Sequence, residues 1–214
     1  MSNKIMERIE IKSRHVNKDL RSQLVTLHDS INISEDCMSL LQNAFIYNAS
    51  KMLGECNLKI KVIKKEVARV TKDIQENDHD NPELTIFFSI PDHIMNIGQS
   101  IEKLSDLIDR KISENLLFSD KAVQETVFLL QRLIEILVPT ADIILARNTF
   151  LSMYIEESQA GLGNTAMEYA TLHEERLIKG ICMPSASSLY ISMLGIIKNI
   201  AWQSKEIAVK LERK

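Results

Sequence analysis

The chain of 214 residues contains few of the residues that interrupt helices. It has only six glycines and four prolines, and aromatic residues make up 5% of it. Glycine and proline commonly end or break helices, so their scarcity favours long helices. The nine methionines and the many leucines and isoleucines suit helix-on-helix packing. We therefore expect an all-α protein.

The chain also lacks a net positive charge and an even number of cysteines. The net charge of −3 argues against a general nucleic-acid binder. The three cysteines are an odd number without metal-ligand spacing. We therefore expect Cys37, Cys56 and Cys182 to be reduced thiols of a cytoplasmic protein, packed as small apolar residues, and we expect no cofactor.

Long apolar runs are missing as well. A membrane-spanning helix needs about 20 consecutive, predominantly apolar residues. The most apolar window, residues 123–146, is interrupted by Gln124, Glu125, Gln131, Arg132, Glu135 and Asp142. We therefore expect a chain that does not enter a bilayer by itself.

Residues 3–28 have the pattern of a basic amphipathic helix, with apolar residues at helical intervals and basic residues between them. Such a helix suits an anionic membrane surface or a partner's helix. The alternatives are packing against the rest of the chain and pairing with a second copy. A break is predicted from Asp29 to Ser34, with Ser34 as the N-cap of the next helix.

The rest of the chain shows helical periodicity in six segments. The predicted boundaries are, in chain order, Ser34, Gly54 to Asn57, Glu83 to Ile112 with a kink or late start near Pro91, Ser119, Asn148, Gly180 and Pro184. Short connectors between long helices predict antiparallel neighbours. In the fifth helix, Gly161 and Gly163 imitate a dinucleotide fingerprint but follow no strand, so we predict a local break or a close helix approach there.

The second helix presents the strongest basic surface, which we call the basic face. It comprises Lys59, Lys61, Lys64, Lys65, Arg69 and Lys72. A run of like charges is typical of a solvated helix face. The functional interpretation is an electropositive surface that meets phosphate-bearing lipid or an acidic partner.

The third and sixth helices carry related sequences. Asn96-Ile97-Gly98-Gln99 matches Asn199-Ile200-Ala201-Trp202, and the same offset pairs Ile94 with Ile197 and Leu104 with Ile207. We interpret this as an internal duplication of a three-helix unit. Gly98, Ala201 and Gly195 are small residues that would admit a neighbouring backbone.

These motifs resemble a known family. His173, Arg176, Leu177, Gly180, Cys182 and Pro184, followed by Asn199-Ile200-Ala201, resemble the second half of PhoU-like proteins, and Asn96-Ile97-Gly98 matches the first half. The resemblance covers about Ser34 to Leu211 and is closest to the PhoU-like domains behind sodium/phosphate cotransporters. It implies two tandem antiparallel three-helix bundles, residues 31–115 and 116–214, preceded by an extra helix in residues 1–30.

The resemblance also implies a function. PhoU-like proteins act between a phosphate transporter and a sensor kinase, so we expect a non-enzymatic cytoplasmic adaptor that contacts one of these partners, with peripheral membrane contact and a homodimer as further expectations. In the family, His173 and Arg176 would belong to a helix-end signature. We expect them to bond carbonyls or acids between the fifth and sixth helices.

PhoU proteins hold metal ions on a Glu/Asp-x-x-x-Asp motif in each repeat. Met95 and Gln99 occupy those places in the first repeat, and Lys198 and Trp202 occupy them in the second. We therefore expect the family's metal sites to be absent. Glu102 and Asp106 have the required spacing and are the remaining candidate, against the simpler interpretation of an exposed acidic pair. The alternative functions are a metal-binding homologue with a non-standard site and a structural, self-associating helical protein.

Overall fold

The computed structural model describes the backbone of residues 2–77 and 88–212 and the side chains of residues 20–76 and 88–212. It contains six helices in these ranges: α1 (Ser2–Tyr47), α2 (Ser50–Asn77), α3 (Ile90–Ser113), α4 (Asp120–Ala146), α5 (Thr149–Ile178) and α6 (Pro184–Glu212). No strand occurs in the same ranges. None of these helices combines the length and the apolar character that crossing a bilayer requires.

The helices form two three-helix bundles in tandem. Helices α1, α2 and α3 pack against one another, and α4, α5 and α6 do the same. The bundles meet along two seams, α1 against α4 and α3 against α6. The predicted all-α, two-bundle architecture is confirmed, and the helices with the related motifs lie beside each other.

The first helix is continuous through the predicted break. Residues 29–34 are helical, and the Ser34 hydroxyl, which was expected to cap a new helix, donates to the carbonyl of Ser30 at 2.8 Å. Leu27 and Ile31 are fully buried on either side of Asp29, so packing holds this stretch in the helix. The basic N-terminal segment is therefore the first part of α1. The side chains of residues 2–19, including most of its basic residues, lie outside the described part.

The turn between α1 and α2 comes earlier than predicted. Asn48 adopts a left-handed conformation with φ of 51°, and α2 begins at Ser50. Gly54, which was expected to end the first helix, lies inside α2 with no neighbour that a Cβ would meet. The buried Lys111 of α3 fixes the turn, because its Nζ donates to Asn48 Oδ1 at 2.6 Å.

The remaining described boundaries agree with the sequence. Helix α3 starts at Ile90 with Pro91 in its first turn, which agrees with the predicted late start near Pro91. Residues 83–87, the first part of the predicted helix, lie outside the described part. Ser119 caps α4 by accepting from the backbone N–H of Ala122, and Asn148 caps α5. Gly180 follows α5 with φ of 69°, and Pro184 opens α6.

Two predictions about small residues are wrong. Helix α5 continues through Gly161 and Gly163 without a break, and a Cβ at Gly161 would meet nothing within 4 Å. The same is true of Gly195, so neither glycine marks a close approach of helices. Only Gly98 lies against another helix, since a Cβ there would lie 3.5 Å from Ile63 Cγ2, an ordinary contact.

The core confirms the phase of the internal repeat. The matched residues of α3 and α6 are fully buried: Ile94 and Ile197, Ile97 and Ile200, and Leu104 and Ile207. Asn96 and Asn199 are both exposed. The two helices therefore present equivalent faces to the core.

Candidate functional site

The basic face of α2 is largely paired with carboxylates. Lys59 Nζ lies 2.9 Å from Asp36 Oδ2 on α1, and Lys64 Nζ lies 2.5 Å from Glu102 Oε2 on α3. The hydrogen bond to Asp36 raises the pKa of Lys59. The neighbouring helices thus supply acids that the sequence of α2 did not reveal.

Pairs within α2 neutralise more of the basic face. Arg69 contacts Glu66 and Asp73, and Lys72 contacts Glu76 at 3.6 Å. Lys61 and Lys65 are exposed, and no described carboxylate lies within ion-pair distance of either. The electropositive part of the basic face is therefore centred on these two lysines.

The candidate metal pair Glu102 and Asp106 is exposed, and Glu102 is committed to Lys64. Arg110, one turn after Asp106 on α3, bonds Glu114 at 2.7 Å. In the described part of the chain, no three histidine, cysteine or acidic side chains come together as a metal site would require. The assignment of Glu102 and Asp106 stays a prediction without support from their contacts.

The seam between α3 and α6 brings the two family motifs together. Asn199 Nδ2 donates to Ser100 Oγ at 2.9 Å, and His93 Nδ1 lies 2.6 Å from Gln203 Oε1. Trp202 is 44% exposed and meets the His93 ring edge-on, with centroids 6.3 Å apart. Side-chain hydrogen bonds thus join the two bundles along this seam.

The residues at the four positions of the expected metal motifs do not fit a metal ion. Met95 and Gln99 of α3 and Lys198 and Trp202 of α6 stand where the resemblance described above implies carboxylates. A lysine ammonium repels a cation, and an indole has only a donor N–H. Metal ions on such sites are usually held by carboxylate oxygens or imidazole nitrogens, and none of these four side chains carries either group.

The second bundle contains a buried polar cluster that the sequence showed only in part. Glu125 of α4 is 1% exposed. Its carboxylate accepts hydrogen bonds from both terminal nitrogens of Arg176 of α5, at 3.0 and 2.6 Å. Tyr190 of α6 donates its O–H to the same carboxylate at 2.6 Å. Burial and the bond to Glu125 raise the pKa of Tyr190, so the phenol stays protonated and keeps donating.

His173 completes this cluster. Its Nε2 lies 2.7 Å from Ser187 Oγ of α6, and its ring lies on Tyr190 with centroids 4.5 Å apart. Burial, with a smaller effect from Arg176, lowers the pKa of His173. The bond to Ser187 agrees with the predicted link between the fifth and sixth helices, whereas Arg176 reaches α4 instead.

The cluster joins the three helices of the second bundle at the end where α5 leads into α6. Arg176 stands one turn and His173 two turns before Gly180, so they fix α5 against α4 and α6 near the point where the chain reverses. The sequence did not predict a buried role for Glu125, because this residue stands there only as one of the polar interruptions of the apolar stretch 123–146. The signal for it was an acid in helical phase with Ala122 and Leu129, which are both buried.

Comparison with known proteins supports the fold. No protein-family model and no curated protein matches the sequence. The structure is similar to that of PhoU from Pseudomonas aeruginosa, with a TM-score of 0.70, 14% identity, and 91% of this chain and 94% of that chain covered. A candidate PhoU-like phosphate regulatory protein of Shewanella oneidensis MR-1 gives a TM-score of 0.66 at 14% identity, with 89% and 97% covered.

A further PhoU-like protein of Shewanella oneidensis MR-1 is similar with a TM-score of 0.64 and 14% identity, over 88% of this chain and 94% of that chain. The likeness therefore extends over nearly the whole of each structure and includes both bundles. The chain has the PhoU-like fold.

Proposed function

We propose that this protein is a cytoplasmic regulator of inorganic phosphate transport or phosphate signalling, and that it acts by binding a phosphate transporter or a sensor kinase component. The observation that carries the proposal is the PhoU-like fold over about nine tenths of the chain. The signature residues agree with it, since Asn96 and Asn199 lie at equivalent places on α3 and α6.

We propose that the protein acts by binding its partner and not by catalysing a reaction. The buried polar groups of the second bundle are used in bracing three helices, and Glu125 is held by Arg176 and Tyr190. A carboxylate in this state is a poor general base, because its lone pairs are occupied and its neighbour is a permanent cation. We therefore propose that the protein is not an enzyme.

The proposed partner surface is the part of the basic face around Lys61 and Lys65, together with the basic N-terminal segment in residues 1–30. Lys61 and Lys65 are exposed charges without an ion-pair partner among the described residues, and such charges attract acidic loops or anionic lipid in a salt-sensitive way. We propose that this surface orients the protein toward a transporter at the membrane. The division into residues 1–30, 31–115 and 116–214 is part of this proposal.

The test of the function is the uptake of labelled phosphate by host cells in phosphate-rich medium. Deletion of the gene is expected to raise uptake, because the restraint on the transporter is lost, and the wild-type gene should restore the original rate. Uptake that is the same with and without the gene would overturn the proposed function.

The test of the surface uses Lys61→Glu together with Lys65→Glu. This double variant is expected to restore the restraint only weakly and to bind transporter-bearing membranes less at low salt. The matched control is Lys103→Glu with Lys121→Glu, which changes the same charge at exposed positions on α3 and α4. If both pairs behave alike, the surface assignment is wrong while the function stands.

A further inference from the structure

Two of the three cysteines face each other across the first bundle. Cys37 of α1 and Cys56 of α2 are both fully buried. Cys37 Sγ lies 3.8 Å from the carbonyl oxygen of Cys56, and Cys56 Sγ lies 3.9 Å from the carbonyl oxygen of Cys37. Each thiol thus reaches the backbone of the other residue.

This reciprocal arrangement indicates a close approach of the two helices at this point. A disulfide requires two cysteines on neighbouring backbones whose side chains point toward each other. An ion pair beside the cysteines also joins the two helices, because Lys59 Nζ of α2 lies 2.9 Å from Asp36 Oδ2 of α1. Cys182 lies apart from them in the connector before α6, where its Sγ contacts Ser119 Oγ at 3.8 Å.

We propose that Cys37 and Cys56 form an oxidation site that a hydroperoxide converts to a disulfide between α1 and α2. In the first step one thiol sulfur attacks a peroxide oxygen, which gives a sulfenic acid and releases one water when the oxidant is hydrogen peroxide. In the second step the other thiol attacks the sulfenic sulfur and a second water leaves. Two thiols are oxidised by two electrons, and the peroxide is reduced.

The environment of the pair sets the conditions for this reaction. The Cys56 thiol and burial both raise the pKa of Cys37, so the unreactive thiol form dominates at neutral pH. Oxidation is therefore expected to be slow at pH 7 and faster at higher pH, where more of the thiol is deprotonated. Once formed, the crosslink closes the chain around the turn at Asn48 and restricts the unfolded state.

The test uses the full chain with Cys182→Ser, so that only the two facing cysteines remain. The folded protein is treated with hydrogen peroxide at pH 8.5, and thiols are then counted with a thiol reagent in denaturant. Both thiols are expected to disappear, and digestion with mass spectrometry should give one peptide pair that joins Cys37 to Cys56. The melting temperature should rise by on the order of 5–10 °C and return after reduction.

The control carries Cys37→Ala in addition to Cys182→Ser, and it should form no internal crosslink under the same treatment. The proposal is overturned if both thiols stay free after oxidation of the folded protein, or if they end as separate sulfinic acids. A crosslink that forms only in urea, or that lowers the melting temperature, would overturn it too, because the helices would then not hold the cysteines in a bonding arrangement.

Discussion

Glu125 and Arg176 form a two-pronged ion pair, with bonds of 3.0 and 2.6 Å, between helices α4 and α5. The Glu125 side chain is almost completely buried, and the Arg176 side chain is 14% exposed. Tyr190 adds a third helix to the same carboxylate at 2.6 Å. The two residues are 51 positions apart in the chain, so this pair exists only in the assembled second bundle.

Removal of the guanidinium should destabilise the protein strongly. Arg176→Ala leaves the carboxylate of Glu125 buried without its cation, and breaking such a pair typically costs about 3–5 kcal/mol. The loss should appear as a lower free energy of unfolding in urea. The matched control is Arg132→Ala, because its pair with Glu135 is half-exposed and contributes at most about 1 kcal/mol. Similar losses in both variants would contradict the assigned importance of burial.

The protein should lose stability below about pH 6.5 through His173. Burial lowers the pKa of this histidine from its ordinary value of 6.5, Arg176 lowers it further, and Glu125 and Glu174 oppose the shift. The unfolded chain then takes up a proton at a higher pH than the folded protein does. The stabilisation is present above pH 6.5 and decreases as the pH falls toward the folded-state pKa.

The measurement is the free energy of unfolding at several pH values, for the wild type and for His173→Gln, which cannot titrate but can still bond Ser187. The difference between the two proteins in free energy of unfolding should decrease as the pH is lowered from 7.5 to 5. A difference that stays constant would show that the folded-state pKa of His173 is not lowered.

Two glycines on the same helical hairpin should respond oppositely to alanine. Gly180 has φ of 69°, so Gly180→Ala should destabilise the protein by about 1 kcal/mol. Gly161 lies within α5 with open space around its Cβ position, so Gly161→Ala should stabilise it by about 0.5–1 kcal/mol. Thermal unfolding of both variants gives the comparison. A loss of stability at Gly161 would mean that α5 is interrupted there.

Metal binding should be absent in the wild type and obtainable by substitution. Purified protein incubated with iron or zinc is expected to hold no stoichiometric metal and to keep its melting temperature. The quadruple variant Met95→Glu, Gln99→Asp, Lys198→Glu, Trp202→Asp restores acids four residues apart on each motif helix and should gain metal by elemental analysis. Stoichiometric metal on the wild type would support the alternative of a non-standard site.

The sequence predicted most of the fold because helix ends and apolar phase are local properties. The cap at Ser119, the left-handed Gly180 and the first-turn Pro184 follow from backbone chemistry alone. The continuity of α1 could not be predicted in this way. A run of polar residues around Asp29 is a weak break signal, and packing of Leu27 and Ile31 against the core overrides it.

The candidate sites were harder to predict, since they depend on neighbours that are distant in sequence. The ion-pair partners of Lys59 and Lys64 could not be predicted, because Asp36 and Glu102 lie on other helices. Likewise, the role of Glu125 is set by Arg176 and Tyr190, and the facing of Cys37 and Cys56 depends on the register of two helices. A pattern within one helix carries none of this information.

Trp202 is the single tryptophan of the chain, and it stands on α6 against His93 of α3, where the two bundles meet. Its intrinsic fluorescence therefore reports on the contact between the two bundles without an added dye. Opening of the seam, or the arrival of a partner over the half-exposed indole, would change the emission colour and intensity while the helical content stays the same.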